Sequence, residues 1–406
     1  MTGAADRGQG RSLTAAAPLR PVETLLRRPV WQQALLVYAL TGLVTLGFFS
    51  VALRTQGRNP WTGDERPTLI EFLNFWDAGW YERIATDGYP AVLPTGADGQ
   101  VLQNAWAFYP LYPLAAGDLS ALTGMGFGAA AIVVSVLAAA AASIVVLVLF
   151  RGCLPPASAL TGLALVLLYP ASAVLMTGYA ESLGLLCLAF ALYLVRERLY
   201  MWAIPVVGLM CLSRPIGVAF SFFMLAHLIR RFRLRDEEPY PAREVVSSWA
   251  LGVLSCAFAL LHPFLAYVET GSPTAYTDTE AAWHSGQTLI VTQWFAQAEN
   301  LMGPAGWVVL VALLAGLGWV LAVPGRRLGA DLQYWCGAYA LYLLLFFTPQ
   351  TSTFRLLIPL FPLLALLALP RGALARAGLL TGFAALQLLW ILAYWVLGGV
   401  SVAGPP

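Results

Sequence analysis

The sequence predicts an all-α polytopic membrane protein, on three observations. Of its 406 residues, 59% are hydrophobic and only 11% are charged, whereas soluble domains carry about 25% charged residues. Apolar runs of about 20 residues recur from end to end, and in lipid such runs satisfy their backbone groups as helices. Every basic residue is Arg and none is Lys, and most of the arginines fall between the runs in an order that sorts the spans. The net charge of +2 singles out no partner; membrane lipid is the expected surrounding and no nucleic-acid partner is expected.

From the N-terminus, residues 1–31 are expected to be a disordered cytoplasmic tail, holding Arg7, Arg11, Arg20, Arg27 and Arg28. No cleavage-like site is apparent, so the first run, 32–53, is expected to stay as a helix. Residues 54–127 interrupt the pattern. Further runs cover 129–150, 157–176, 182–195, 200–213, 215–229, 247–268, 303–323, 332–348, 356–369 and 377–399, about eleven spans in all. Those at 182–195, 200–213 and 356–369 are short for a full crossing, so tilted, broken or re-entrant segments are expected there. Residues 32–399 read as a single transmembrane domain, followed by a short tail at 400–406.

Arginine placement sets the orientation. With a cytoplasmic N-terminus and alternating spans, Arg151, Arg196 and Arg198, the arginines of 230–235, Arg326 and Arg327, and Arg371 and Arg376 all fall inside. Asp77, Glu181, Arg214, Asp278 and Arg355 all fall outside. The outer face then carries a first outer loop, 54–127, and a second, 269–302. Polar side chains gathered on one face of a membrane protein mark its chemistry, so a multi-pass protein of the cell membrane with an extracytoplasmic site is expected.

In the first outer loop, residues 67–87 read as one interfacial helix, opened by Pro67 and ended by Gly88. Leu69, Leu73, Trp76, Trp80 and Ile84 make one apolar stripe able to lie on the bilayer. Asp77 sits beside that stripe, with Asn74 and Tyr81 one turn away on either side. A carboxylate there can take a proton from a hydroxyl, or it can merely cap and solvate a helix. Trp106, Phe108, Tyr109 and Tyr112 with two prolines form either an interfacial aromatic belt or a wall that stacks a sugar. Glu181 at a helix start is a cap or a ligand. Arg214 and Arg355 sit at the ends of apolar runs, where a guanidinium needs an anion; a lipid phosphate fits its fork of donors, and plain snorkelling is the other reading. The second outer loop offers Asp278, Glu280 and His284, and His262 lies near the outer end of its helix.

The five cysteines, Cys153, Cys187, Cys211, Cys256 and Cys336, lie in or beside apolar runs without CxxC spacing and read as small buried hydrophobes. No HExxH or paired-His spacing occurs, so neither a metal nor another cofactor is expected. The absence of GxxxxGK[ST] and GxGxxG argues against nucleotide hydrolysis.

Several segments together resemble the GPI mannosyltransferase II (PIG-V) family. They are Phe75-Trp76-Asp77-Ala78-Gly79-Trp80-Tyr81 with Ile84-Ala85 and Gly88-Tyr89, then Ala107-Phe108-Tyr109-Pro110-Leu111-Tyr112-Pro113, then Tyr179-Ala180-Glu181-Ser182-Leu183. Ser213-Arg214-Pro215-Ile216-Gly217, Gly271-Ser272-Pro273-Thr274-Ala275-Tyr276 and the Phe354–Pro362 block follow in the same order. The Arg-Asn-Gly block usual in that family reads Arg214-Pro215-Ile216-Gly217 here.

The resemblance implies a GT-C glycosyltransferase fold that takes mannose from a polyprenyl-phosphate carrier and transfers it with inversion to a lipid or glycan acceptor. It makes Asp77 the catalytic base, and the composition points to a bacterial, actinobacterial-type source. Arg214 and Arg355 are then the expected donor-phosphate ligands. Trp76, Trp80, Tyr81, Tyr109, Tyr112, Glu181, His262, Asp278 and His284 are the expected substrate contacts. A transporter or flippase of a lipid-linked sugar is the competing class; it predicts charges deep in the bundle and an internal repeat, and the sequence shows no repeat. A scaffold without catalysis is the third.

Overall fold

The computed structural model describes residues 20–283, 290–369 and 372–397. Among these, β-structure is confined to two isolated bridges, Asn59–Gly63 and Thr95–Val101. Helix α1 (Arg20–Leu26) lies within the stretch expected to be a tail. Helix α2 (Val30–Thr55) follows Pro29, and its 26 residues rise about 39 Å, enough to cross a hydrocarbon layer of about 30 Å. Three helices occupy the first polar stretch: α3 (Leu69–Leu73), α4 (Ala78–Asp87) and α5 (Leu111–Thr123).

Helix α6 (Phe127–Arg151) is central, packed on α2, α5, α7 (Pro156–Leu167) and α8 (Glu181–Arg196). Its buried face is mostly small, with Ala130, Ala131, Ser135, Ala138, Ala139, Ala142 and Ser143, which lets neighbouring backbones approach closely. The chain continues through α9 (Tyr200–Ser213) and α10 (Gly217–Arg233), then α11 (Ala242–Ala259) and α12 (Leu261–Thr270). The stretch expected to be the second outer loop is largely helical, as α13 (Ala275–Trp283) and α14 (Ile290–Met302). Helices α15 (Ala305–Ala322), α16 (Ala330–Phe346), α17 (Thr353–Leu356), α18 (Phe361–Leu367) and α19 (Ala373–Tyr394) complete the order.

Five of these elements are long and apolar enough to cross a membrane, with α11 and α12 counted together, and a sixth is added if one bent pair is a single span. Length and composition therefore support a multi-pass membrane protein without fixing eleven crossings. Four of the other apolar runs, α8, α9, α10 and α16, are helices of 14 to 17 residues.

The bent pair shows how the fold tolerates broken helices at membrane depth. Helix α7 turns by 79° into a 3-10 segment, Pro170–Met176, because Pro170 has no N–H to continue the ladder. Carbonyls at the break gain partners from outside, although Tyr169 O also accepts from the Ser172 N–H at 2.8 Å. Gln387 of α19, fully buried, donates to Leu167 O at 3.1 Å and Tyr169 O at 3.2 Å, and it accepts from Thr45 of α2 at 2.8 Å. A buried backbone polar group without such a partner costs several kcal/mol in lipid (about 2–7 kcal/mol on apolar transfer scales).

Charged groups collect at two ends of the helices. At one end Arg151 pairs with Gln33, Arg196 donates to Leu149 O, and Arg376 reaches Ser158. There too, Arg231 pairs with Glu238 and Glu244, and His227 bridges Asp331 and Tyr200. This gathers several of the arginine groups expected on one side. The other end holds Asp77, Glu181, Arg214 and Arg355.

One sequence expectation fails here. Residues 67–87 are not a single interfacial helix: α3 ends after five residues and α4 begins at Ala78. The apolar stripe is also turned into the protein, since Leu73 and Ile84 are buried and Trp80 stacks on Phe108 with centroids 5.7 Å apart. The break has a local cause. Trp76 takes φ +65°, the left-handed region that a bulky L-residue enters at a cost of about 1–3 kcal/mol.

Candidate active site

The turn that carries Asp77 is fixed from several directions. Helix α3 starts with a reciprocal cap, in which the Glu71 carboxylate accepts from the Thr68 N–H at 2.7 Å while Thr68 Oγ1 accepts from the Glu71 N–H at 3.3 Å. Trp76 then donates its indole N–H to Tyr394 O at 3.1 Å and sets its edge against Trp61, which stacks on Phe75 at 4.2 Å. The Tyr179 hydroxyl closes the turn: it donates to Phe75 O at 3.3 Å and accepts from the Asp77 N–H at 3.2 Å. Burial first, and the Asp77 charge second, raise that hydroxyl well above the ordinary tyrosine range, so it stays a neutral donor. These contacts offset the cost of the Trp76 backbone.

Two glycines leave room for this arrangement. Gly178 donates its N–H to Leu73 O at 3.2 Å, and a Cβ on it would sit 2.1 Å from Asn74 Oδ1. A Cβ on Gly184 would meet Arg214 Cγ at 2.9 Å.

Asp77 takes the N-cap position just before α4, yet its carboxylate makes no cap hydrogen bond. It points instead to Arg355, whose Nη1 lies 2.5 Å from Asp77 Oδ2. Arg355 Nε lies 3.0 Å from Glu181 Oε1, and Arg214 Nη1 lies 3.3 Å from the same oxygen. Asp77, Glu181 and Arg355 are 6%, 5% and 8% exposed, and Arg214 is half-buried. Two carboxylates and two guanidiniums thus form one formally neutral chain of charges, and buried charges persist when paired in this way. The Arg355 guanidinium also lies over the Tyr179 ring, 5.1 Å from its centroid, a cation–π contact.

The pairing is uneven. Arg355 and Glu181 are close enough to attract, but Arg355 Nε and both Glu181 carboxylate oxygens have no aligned hydrogen bond despite their burial. Asp77 holds the aligned, charge-assisted bond. Tyr81 lies within electrostatic range of all four charges; burial first, and Glu181 second, raise its hydroxyl above the ordinary range, which keeps it neutral.

The remaining expected contacts separate into groups. Trp80, Tyr81, Phe108 and Tyr112 pack together beside the charges, and the Tyr112 hydroxyl is committed to Ala131 O and Ser135. Tyr109 and His262 belong to a second cluster, with ring centroids 4.2 Å apart. There His262 Nε2 lies 2.9 Å from Trp106 O, and the Tyr109 and Tyr276 hydroxyls meet at 3.0 Å. That cluster ties the first polar stretch to α12 and α13. Asp278 accepts from Thr274 at 2.7 Å at the exposed start of α13, and His284 lies outside the described residues. Among the described residues no group of three or more His, Cys, Asp and Glu side chains is placed to hold a metal. Sequence reasoning gave Tyr179 no role. Its signal was its place at the head of the Tyr179–Leu183 block, two residues before Glu181.

An apolar cavity of about 170 Å³ lies along the segment that follows α17. Tyr169, Leu357, Ile358 and Leu364 help line it, and Tyr169 donates its hydroxyl to Phe354 O at 3.0 Å.

The sequence matches no family model and no curated protein. Similar solved structures include ArnT from Cupriavidus metallidurans bound to undecaprenyl phosphate, at 16% identity and TM-score 0.49, covering 84% of this chain and 61% of that one. The apo state of that ArnT gives 14% and 0.47, covering 84% and 60%. The oligosaccharyltransferase of Archaeoglobus fulgidus in complex with Zn and sulfate gives 14% and 0.46, covering 87% and 51%. The chain thus spans 60–61% of the ArnT chains and 51% of the oligosaccharyltransferase. At TM-scores below 0.5 these likenesses carry no weight of their own, and the chemistry has to come from the site.

Proposed function

We propose that this chain is a membrane glycosyltransferase of the GT-C, PIG-V-like kind. It moves mannose, with inversion, from a polyprenyl-phosphate-mannose donor to a lipid-linked or cell-envelope glycan acceptor. In this reading the site faces outward from the cell membrane and the arginine-rich end faces the cytoplasm. The observation that carries it is the buried chain Asp77–Arg355–Glu181–Arg214 at one end of an apolar helical bundle.

Each part of that chain has a chemical use. An acceptor hydroxyl attacks the anomeric carbon while Asp77 takes its proton. The bond from that carbon to the phosphate oxygen breaks on the opposite face, and Arg355 and Arg214 hold the departing phosphate, for which the guanidinium fork is suited. One carboxylate suffices for inversion because phosphate leaves without needing a proton, unlike the leaving group of a glycosidase. Tyr179 keeps Asp77 in place, and the apolar cavity lined by Leu357 and Ile358, which follow Arg355 closely in the chain, suits the first part of a hydrocarbon chain. Trp76, Trp80, Tyr81, Tyr109, Tyr112, Glu181, His262, Asp278 and His284 stay as candidate substrate contacts. No metal is required, because two guanidiniums already supply the positive charge, so a chelator leaves the rate unchanged.

The test is product mass. Purified protein is incubated with polyprenyl-phosphate mannose and membrane lipid extract, and a hexose-shifted product is expected. Turnover only with another polyprenyl-phosphate sugar would replace mannose and keep the reaction. The burial of Asp77, Glu181 and Arg355 also favours a second reading, a flippase for a lipid-linked sugar. In sealed vesicles that reading gives movement of the labelled lipid across the bilayer and no new product.

A further inference from the structure

Asp77 is described above as a base, yet its carboxylate is occupied. Its Oδ2 accepts a 2.5 Å bond from Arg355, and a lone pair committed to a buried guanidinium is poorly placed to accept another proton. From the elements packed around it Asp77 also meets Tyr179 and lies in the field of Tyr81. Both are neutral hydroxyls, so Arg355 is the charge that restrains it.

The same cluster holds a second place for Arg355. Both carboxylate oxygens of Glu181 are buried without a hydrogen bond, as is Arg355 Nε, although the two groups are only 3.0 Å apart. A small rotation of the guanidinium across the flat Tyr179 ring, now 5.1 Å away, could align Nε with Glu181 without moving backbone. Arg214 already reaches Glu181 from α9, so the shifted Arg355 and Arg214 would present two guanidiniums side by side. The cluster as it stands is formally neutral. An incoming phosphodiester brings one negative charge, and it gains most by taking a guanidinium away from a carboxylate.

We infer that the donor's own phosphate frees the base: it draws Arg355 off Asp77 onto the phosphate, Glu181 holds Arg355 and Arg214 in that second position, and Asp77 becomes competent only with donor in place. The inference rests on the proposed transferase reading and deepens it. No covalent bond changes in this step; one ion pair is exchanged for another. Glu181 acts here as a positioning residue, because it touches neither the acceptor hydroxyl nor the anomeric carbon. Coupling base release to donor binding also protects the site, since an acceptor or a water that arrives first meets no free base.

The experiment uses the whole purified protein in detergent and an apolar carbodiimide, in large excess over the added phosphate, which also consumes it. The reagent needs a carboxyl that can take up a proton, and an ion pair with a guanidinium opposes that. Labelling of the Asp77 peptide is read by mass spectrometry without ligand, with a polyprenyl monophosphate at saturation and with inorganic phosphate. The polyprenyl phosphate is expected to raise Asp77 labelling by about tenfold, the lower end of what a neighbouring guanidinium does to a carboxylate's affinity for a proton. Inorganic phosphate is expected to give a smaller rise, and an equal rise would assign the effect to phosphate from any source. Arg355→Gln should label at the high level without ligand. The wild-type arms do not depend on that variant folding. Unchanged or lower labelling, with binding shown to be saturating, would overturn the exchange. If Asp77→Asn abolishes transfer while labelling does not rise, only this inference fails; if Asp77→Asn keeps full transfer, the base assignment itself fails.

Discussion

Arg355 Nη1 and Asp77 Oδ2 lie 2.5 Å apart although 278 positions separate the two residues in the chain. That contact joins the turn between α3 and α4 to the short helix α17, and through Glu181 and Arg214 it draws in the start of α8 and the end of α9. A carboxylate that the sequence left open between proton acceptor and helix cap is thereby the end member of a chain of paired charges.

Tyr179→Phe keeps the ring under Arg355 and removes only the hydroxyl. Phe75 O and the Asp77 N–H then lose a shared partner, which costs about 1–3 kcal/mol when buried. The expected result is a lower melting temperature and a kcat reduced by up to roughly 10²-fold through misplacement of Asp77, with KM for the donor little changed. Parallel melts and initial rates on the purified variant check both. A KM increase at unchanged kcat would mean that Tyr179 serves donor binding instead.

Much of this site was legible in the sequence, and the reasons differ by residue. Arg214 and Arg355 stood out because a guanidinium at the end of an apolar run is costly and needs an anion, and Asp77 because it sits beside an apolar, aromatic stripe within the polar stretch 54–127. Their pairing was not legible, since periodicity reports neighbours a few residues apart and says nothing about contacts between distant segments. The break at Trp76 was hidden for a related reason: the stripe from Leu69 to Ile84 continues in phase across it, and a positive φ is ordinarily signalled by Gly. The crossing count was blurred because runs such as α9 and α17–α18 are short or bent, and hydropathy does not reveal where a helix turns.

The two glycines Gly178 and Gly79 should respond in opposite ways to alanine. In Gly178→Ala the new Cβ would lie 2.1 Å from Asn74 Oδ1 and 3.3 Å from Ala78 Cβ. Asn74 must then rotate and give up its bonds to Ile70 O and Gly128 O, for a loss of about 1–3 kcal/mol and a displaced Asp77. In Gly79→Ala the Cβ meets nothing within 4 Å, and Ala in a helix is favoured over Gly by up to about 1 kcal/mol. Thermal unfolding in detergent should show the first variant less stable and the second equal or more stable. Equal losses in both would contradict the packing described for the turn.

The cap of α3 gives a pH signature. Accepting from the Thr68 backbone N–H first, and from its hydroxyl second, lowers the Glu71 carboxyl below its ordinary 4.5. A folded-state value below the unfolded one means that the contribution is fully present above pH 4.5 and is lost as the pH falls through the folded-state value. The difference in melting temperature between wild type and Glu71→Gln should therefore be constant near neutrality and shrink in acid. Because Glu71 is exposed, the effect is small. A difference that grew in acid would have the wrong sign for this cap.

In the proposed transfer Asp77 accepts the proton of the acceptor hydroxyl, and Asp77→Asn removes that proton acceptor alone. The substitution preserves size and leaves Arg355 its contact with Glu181. Transfer from polyprenyl-phosphate mannose to the acceptor in membrane lipid extract, read by product mass, should fall by about 10² to 10⁴, the usual contribution of a general base, while polyprenyl phosphate still binds. Full transfer by the purified Asp77→Asn protein would rule out Asp77 as the base.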